Sequence, residues 1–397
     1  MKKFLSILLV LTMLLTLLPM EAIASSYNDT TNHWAKDEIT KWSDLGIIQG
    51  SDGLFRPSDQ ITRGEMAVIL DRLMNYQVKA SNGFVDLDTS WYTDAILRAN
   101  KAGIILGNNG KVHPNSYITR EEAIVMLGRA LLISESAKNA NFSDMKMVSD
   151  WAKGYVNALS SERIISGVGN NSFAPKANVT RSEVVKILDN AIKGLYNKAG
   201  EYSSDSDGDV IINTSSVTLK DMEISGNLII AEGVGEGEVT LDNVNIKGNT
   251  IVKGGGKNSV YFNNVTVEGS LIVNKVGGDL RIVVTGTSSV SVAVLDSGAI
   301  LVTKDLIGGG IEKVVIPANI ADGQNVVLQG NFNTVENNAA GITLKATGKI
   351  DNLILNEKTT VIGDATVNKV TTAPSAESVI NGKVVSGGQN GSPINSN

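Results

Sequence analysis

The sequence predicts a multidomain chain with a helical repeat unit in its first half and an all-β solenoid in its second. Two internal periods and a change of texture carry this reading. In the first half, Trp34, Trp91 and Trp151 each stand 16 residues before Gly50, Gly107 and Gly167. Those glycines precede Thr62, Thr119 and Thr180 by 12, 12 and 13 residues, and Pro57, Pro114 and Pro175 each fall five before the threonine. This is the self-similarity of a structural repeat near 60 residues long. In the second half, "VTLKDMEISGNLII" from 217, "VTLDNVNIKGNTIV" from 239 and "VYFNNVTVEGSLIV" from 260 align at offsets of 22 and 21. Their period-2 alternation marks strands, and their recurrence marks coils of a solenoid. Between the two halves, near residue 196, the composition shifts to Val, Ile, Thr, Asn and Gly.

The first element is an N-terminal segment with Lys2 and Lys3, an apolar run from Phe4 to Leu18, Pro19, and the small-residue triplet Ala22-Ile23-Ala24. It reads as a secretory signal, residues 1–24, cleaved after Ala24. A retained anchor is the poorer reading, because the run is shorter than the roughly 20 apolar residues that span a bilayer. No later segment could span one, so no membrane contact is expected after cleavage.

The repeats are expected at 27–80, 81–138 and 139–195, each a helix, a loop and a second helix. In the first, Trp34, Ile39, Trp42 and Leu45 fall near one face, and Gly46 ends the helix. The loop "QGSDGLFRPSDQ" is turn chemistry throughout. The second helix starts at Thr62 with Met66, Ile69, Leu70 and Leu73 on its buried stripe. Neither helix can bury its stripe alone, so the three units are expected to share a core.

"ITRGE" at 61–65, "ITREE" at 118–122 and "VTRSE" at 179–183 open the second helices. Thr62 with Glu65, Thr119 with Glu122 and Thr180 with Glu183 form capping boxes. Arg63, Arg120 and Arg181 then occupy the first helical position, where a cation costs roughly 0.3–1 kcal/mol against the macrodipole. Either each arginine pairs with an acidic neighbour, or it makes an anion site beside open backbone donors, where its planar fork suits a carboxylate. Trp34, Trp91 and Trp151 read as core plugs for most of each ring or as stacking platforms for a sugar. Gly50, Gly107 and Gly167 are expected to supply a positive φ after the first helix, and their bare backbone would also admit a ligand.

Trp, then Ile-x-Gly, Gly-x-Phe-x-Pro and Ile-Thr-Arg-x-Glu resembles the S-layer homology module, in three tandem copies over residues 27–195. The resemblance implies a pseudo-threefold arrangement of three modules within one chain. It further implies grooves between modules that bind secondary cell-wall polysaccharide through a pyruvylated sugar, with Arg63, Arg120 and Arg181 meeting its carboxylate. The third copy departs from the pattern: Arg163 stands where Gly46 and Gly103 stand, and its loop is one residue longer.

Residues 196–209, "YNKAGEYSSDSDGD", read as a polar linker. Asp205, Asp207 and Asp209 do not complete an EF-hand loop, so no metal is expected there. The solenoid follows at 210–374, with Gly226, Gly248 and Gly269 at its bends and Asp221, Asn243 and Asn264 sharing one position of a turn ladder. In period and composition it resembles the parallel β-helices of polysaccharide lyases and cell-surface proteins. Residues 375–397 read as a frayed tail rich in Ser, Gly and Asn.

Composition narrows the function. A net charge of -6 without a basic tract gives no attraction to nucleic acid, and zero cysteines exclude disulfides, thiol catalysis and cysteine-bound metal. Both histidines, His33 and His113, lie in the helical repeats, and past residue 210 the aromatics are Tyr261, Phe262 and Phe332. The solenoid therefore shows no aromatic-lined cleft with paired acids, and the chain is expected not to be an enzyme and to need no cofactor. The expectation is a secreted protein held non-covalently to the wall of a Gram-positive-type bacterium. It would display the solenoid as a structural or S-layer-associated protein, with self-association in a surface layer as a further possibility. A wall-anchored polysaccharide lyase or hydrolase, or an adhesin, is the alternative.

Overall fold

The computed structural model describes residues 27–258, 260–277, 280–320 and 324–385; the expected signal at 1–24 lies outside them. Six α-helices are described: α1 (Lys36–Asp44), α2 (Arg63–Met74), α3 (Thr93–Lys101), α4 (Arg120–Ala130), α5 (Asp150–Ser161) and α6 (Arg181–Ala191). No described helix is long and apolar enough to cross a membrane.

The six helices close into a ring because each repeat lends its second helix to the next. Helix α2 packs on α3, α4 on α5, and α6 returns to α1. Charged pairs fix these seams: Arg98 holds Asp71 with two bonds of 2.9 Å, while Lys41 reaches Asp189 at 2.7 Å and Lys186 reaches Glu38 at 2.6 Å. At the centre the residues before the three threonines hydrogen-bond in a closed cycle. The Ile61 amide donates to the Val179 carbonyl, Val179 to Ile118 and Ile118 to Ile61, each at 3.1 Å. The shared core beneath holds Trp42, Phe55, Ile61, Leu70, Ile118, Leu127, Phe173 and Leu188. Burying it in common is what makes three short helix pairs stable.

The first helices end in a left-handed residue, Gly46 at φ 74° and Gly103 at φ 75°; in the third repeat Arg163 adopts φ 61°. A side chain there carries strain that glycine does not. Arg163→Gly is therefore expected to raise the unfolding free energy by about 1 kcal/mol in urea titration.

Beyond α6 the chain winds into a parallel β-solenoid of about nine turns. Val217, Leu219, Met222 and Ile224 pair in register with Val239, Leu241, Val244 and Ile246, and Val239 and Leu241 pair with Val260 and Phe262. These side chains stack in the core, where Leu219, Leu241 and Phe262 are wholly buried. Asp221, Asn243 and Asn264 all take left-handed φ of 48–56°, and Asn243 donates to Asp221 at 2.7 Å. A second ladder, not anticipated from the sequence, runs along the neighbouring bend. Asp209 accepts the Asn227 amide at 2.7 Å, Asn227 accepts that of Asn249 at 2.8 Å, and Asn249 accepts that of Ser270 at 2.9 Å. Beside it Gly226, Gly248 and Gly269 stack so closely that a Cβ on Gly248 would lie 2.6 Å from the Gly226 carbonyl oxygen.

The structure corrects two expectations here. Residues 196–209 are not a loose linker. The strand Ile192–Tyr196 follows α6 directly and pairs with Asp209–Ile212, and Gly200–Tyr202 pairs with the start of Val217–Ile224. The cause lies in outward-facing Ile211, Ile229 and Ile251, which stack in register and bury against the helical ring. Polar contacts complete this junction. Asn213 donates to the carbonyls of Arg72 (3.1 Å) and Leu73 (2.9 Å), acceptors that the end of α2 leaves without helical partners. Asn75 donates back to the Asn213 carbonyl at 3.2 Å, and Lys253 lies 3.6 Å from Glu232, both nearly buried beside Tyr76. Burial, with Glu232 and Asp71 close by, pushes the Tyr76 phenol well above its ordinary value. In the expected tail, Ser378–Ile380 and Lys383–Val385 form an antiparallel hairpin on the last coil, with Ala376 and Ile380 buried. Residues 386–397 lie outside the described residues.

Candidate functional site

All three Thr-x-x-Glu caps are closed in both directions. The remaining amides of the first turn are occupied as well, by carbonyls of a neighbouring repeat. Arg63 and Gly64 donate to Ser116 and Pro114, Arg120 and Glu121 to Ala177 and Pro175, and Arg181 and Ser182 to Asp59 and Pro57. The open backbone donors expected beside each arginine are thus used to hold the ring together.

The arginines themselves form a second cycle. Arg63 pairs with Glu122 at 2.5 Å, Arg120 with Glu183 at 3.1 Å and Arg181 with Glu65 at 3.4 Å. Each capping glutamate therefore serves its own helix and the arginine of the preceding repeat. Burial holds the Arg120 and Arg181 guanidinium groups below the ordinary arginine value, and Glu183 and Glu65 offset it only in part. Burial would also raise the Glu122 carboxyl, but the Thr119 amide and Arg63 outweigh it and hold it below its ordinary value. Arg120 and Arg181 further donate to the carbonyls of Ser166 and Gln49, next to Gly167 and Gly50, at 3.1 and 2.8 Å. Their guanidinium planes lie near the Phe173 and Phe55 rings.

Each arginine–glutamate pair sits in the wall of a solvent-open groove. The three grooves measure about 550, 670 and 470 Å³ for the Arg63, Arg181 and Arg120 pairs. These sizes are typical of small-ligand clefts. All three repeats contribute to every groove. Arg63 and Glu122 are joined by Trp151, Arg120 and Glu183 by Trp34, and Arg181 and Glu65 by Tyr117.

The tryptophans correct the expectation of mostly buried rings: Trp34, Trp91 and Trp151 are 61%, 66% and 50% exposed. Trp34 and Trp91 precede α1 and α3, so neither occupies a buried helical position. Trp91 packs edge-on against Tyr92 and stands outside the lining of the Arg181 groove. The glycines are also corrected in part, since of the three only Gly107 has a positive φ, 71°. Their common property is tight packing: a Cβ on Gly50 would collide with Tyr27 and the Leu54 carbonyl, and one on Gly107 with Phe84.

A further set was legible in the repeat but not singled out. Asp29, Asp86 and Asp144 follow Tyr27, Phe84 and Phe142 by two residues. Each carboxylate accepts two consecutive loop amides, those of Phe55 and Arg56, Val112 and His113, and Phe173 and Ala174. Burial tends to raise these carboxyls, yet the amide bonds prevail and hold all three below the usual aspartate value. They fix the groove loop, whose second residue is left-handed in every repeat: Arg56 at φ 58°, His113 at 51° and Ala174 at 55°.

Comparison with known proteins supplies the family context. The family model for the S-layer homology domain matches residues 26–67, 83–124 and 141–185. An amylopullulanase of Thermoanaerobacterium thermosulfurigenes is 38% identical over 44% of this chain and 10% of its own length. The exoglucanase XynX of Acetivibrio thermocellus is 39% identical over 41% and 16%. The S-layer protein sap of Bacillus anthracis is 28% identical over 47% and 24%. The chain thus spans less than a quarter of the length of these relatives. They overturn the expectation that the chain is not an enzyme, because proteins with enzyme names share the matched segment as closely as S-layer proteins do.

Proposed function

Because the chain carries three S-layer homology domains, we propose that its helical ring anchors it non-covalently to the bacterial cell wall by binding an anionic secondary cell-wall polysaccharide in the three grooves. It is a secreted, cell-wall-associated surface protein, and the ring carries the β-solenoid with it. One observation supports the reading most: in each of the three grooves a guanidinium from an equivalent position shares the lining with an exposed aromatic ring, Trp151, Trp34 or, from a different position of the repeat, Tyr117. An acidic sugar needs a charge-assisted donor for its carboxylate and an apolar plane for its ring, and a tryptophan offers the largest such plane. The donor is pre-positioned by its glutamate, which lowers the ordering cost of binding. Three grooves on one ring add avidity on a repeating polymer.

The tryptophans separate binding from folding, because their rings contribute little to the core. Trp34→Ala and Trp151→Ala are each expected to weaken co-sedimentation with purified sacculi roughly fivefold while leaving the thermal midpoint unchanged. Undiminished sedimentation of the double variant would remove the grooves as the binding site.

A further inference from the structure

We infer that the left-handed loop residue at Arg56, His113 and Ala174 sets how strongly each groove holds an anion, and that the three grooves are graded in strength. The inference deepens the proposed binding of an anionic wall polymer and rests on it. The three positions are equivalent: each stands one residue before the loop proline, each takes φ between 51° and 58°, and each has its amide held by the aspartate of its own repeat. Each also lines its own groove, Arg56 that of Arg181, His113 that of Arg63, and Ala174 that of Arg120. A non-glycine residue kept in this conformation three times is backbone strain at one functional position, used to aim a side chain.

The side chains aimed there differ in charge. In the Arg181 groove, Arg56 adds a second guanidinium, steadied by its bond to the Ser51 hydroxyl at 2.8 Å; Asp52, 3.7 Å away and largely exposed, and Asp59 in the lining offset part of its charge. In the Arg63 groove, His113 adds an imidazole and Lys111 an ammonium, alongside Arg129. In the Arg120 groove the position is a methyl group, and the place of Lys111 is taken by Ser172. Arg120, already paired with Glu183, is the only arginine or lysine among the described residues of that lining, which like the Arg63 groove has a single imidazole, here that of His33. A groove whose one cation is neutralised attracts a carboxylate less than one with a further cation in reach. The Arg120 groove, with Trp34 at its rim, is accordingly the weak anion site, suited to a neutral stretch of the polymer.

The decisive variant adds a charge. Arg56 shows that arginine is accommodated at this φ, so Ala174→Arg should fold as the wild type does. In the full chain, Ala174→Arg is expected to tighten binding to purified sacculi about tenfold at low salt and to steepen its loss with added salt, while Arg56→Ala weakens binding about tenfold. Ala174→Gln, equally long but neutral, should give no gain. An Ala174→Arg affinity equal to wild type or to Ala174→Gln, with wild-type binding intact, would overturn the grading alone. Wild-type chain that ignores sacculi would overturn the underlying reading and the grading with it.

Discussion

Arg120→Ala should both loosen the helical ring and strip one groove of its guanidinium. The side chain is only 7% exposed and joins two repeats through Glu183 and the Ser166 carbonyl. Removing it leaves the Glu183 carboxylate without its inter-repeat partner and the Ser166 carbonyl without a donor, a loss of about 3 kcal/mol. Urea titration of the full chain should show this as a lower midpoint with an unchanged slope. Arg120→Lys should recover part of the stability but less of the wall binding, since an ammonium cannot bridge two acceptors and still present a planar fork. If Arg120→Ala melts like the wild type, the arginine cycle does not hold the repeats together. All three arginines join repeats, so their removal changes stability and binding together; the exposed tryptophans carry no such ion pair and separate the two.

The second large effect concerns the junction. Ile229 is wholly buried, yet it points out of the solenoid and against the helical ring. Ile229→Asp would bury a carboxylate in an apolar contact between the two halves, at a cost above about 4 kcal/mol, unless they part. Parting is the expected outcome: one cooperative thermal transition in the wild type should become two, and residues 196–209 should become the preferred site of proteolysis. Asn213→Ala, which removes the two bonds to the end of α2, should move in the same direction by about 2 kcal/mol. Two transitions already present in the wild type would contradict a rigid junction.

What the sequence disclosed follows from how local each signal is. The capping boxes span three residues and the solenoid coils keep one period, so Thr62–Glu65 or Leu219 above Leu241 can be read directly. The roles of Arg63, Arg120 and Arg181 depend on which repeat lies beside which. The sequence left pairing and anion binding open, and only the closed ring shows that each arginine faces the next repeat's capping glutamate. The tryptophans misled for a related reason: an aromatic beside a helix start looks like core until the ring geometry turns it outward. Residues 196–209 look polar and loose, but the apolar surface that fixes them comes from Ile211, Ile229 and Ile251, residues that the alternation alone assigns to solvent. Asp29, Asp86 and Asp144 were within reach, since an aromatic-x-Asp pattern recurs in all three repeats.

The most direct test is co-sedimentation of residues 25–397 with purified sacculi, before and after the secondary polysaccharide is chemically stripped, in parallel with the Trp34→Ala/Trp151→Ala variant. The wild-type chain is expected to pellet with intact sacculi and to stay in solution with stripped ones, and the double variant to bind intact sacculi roughly 25-fold more weakly than the wild type, the two fivefold losses being independent. Equal pelleting of the wild type with intact and stripped sacculi would contradict anchoring through the secondary polysaccharide.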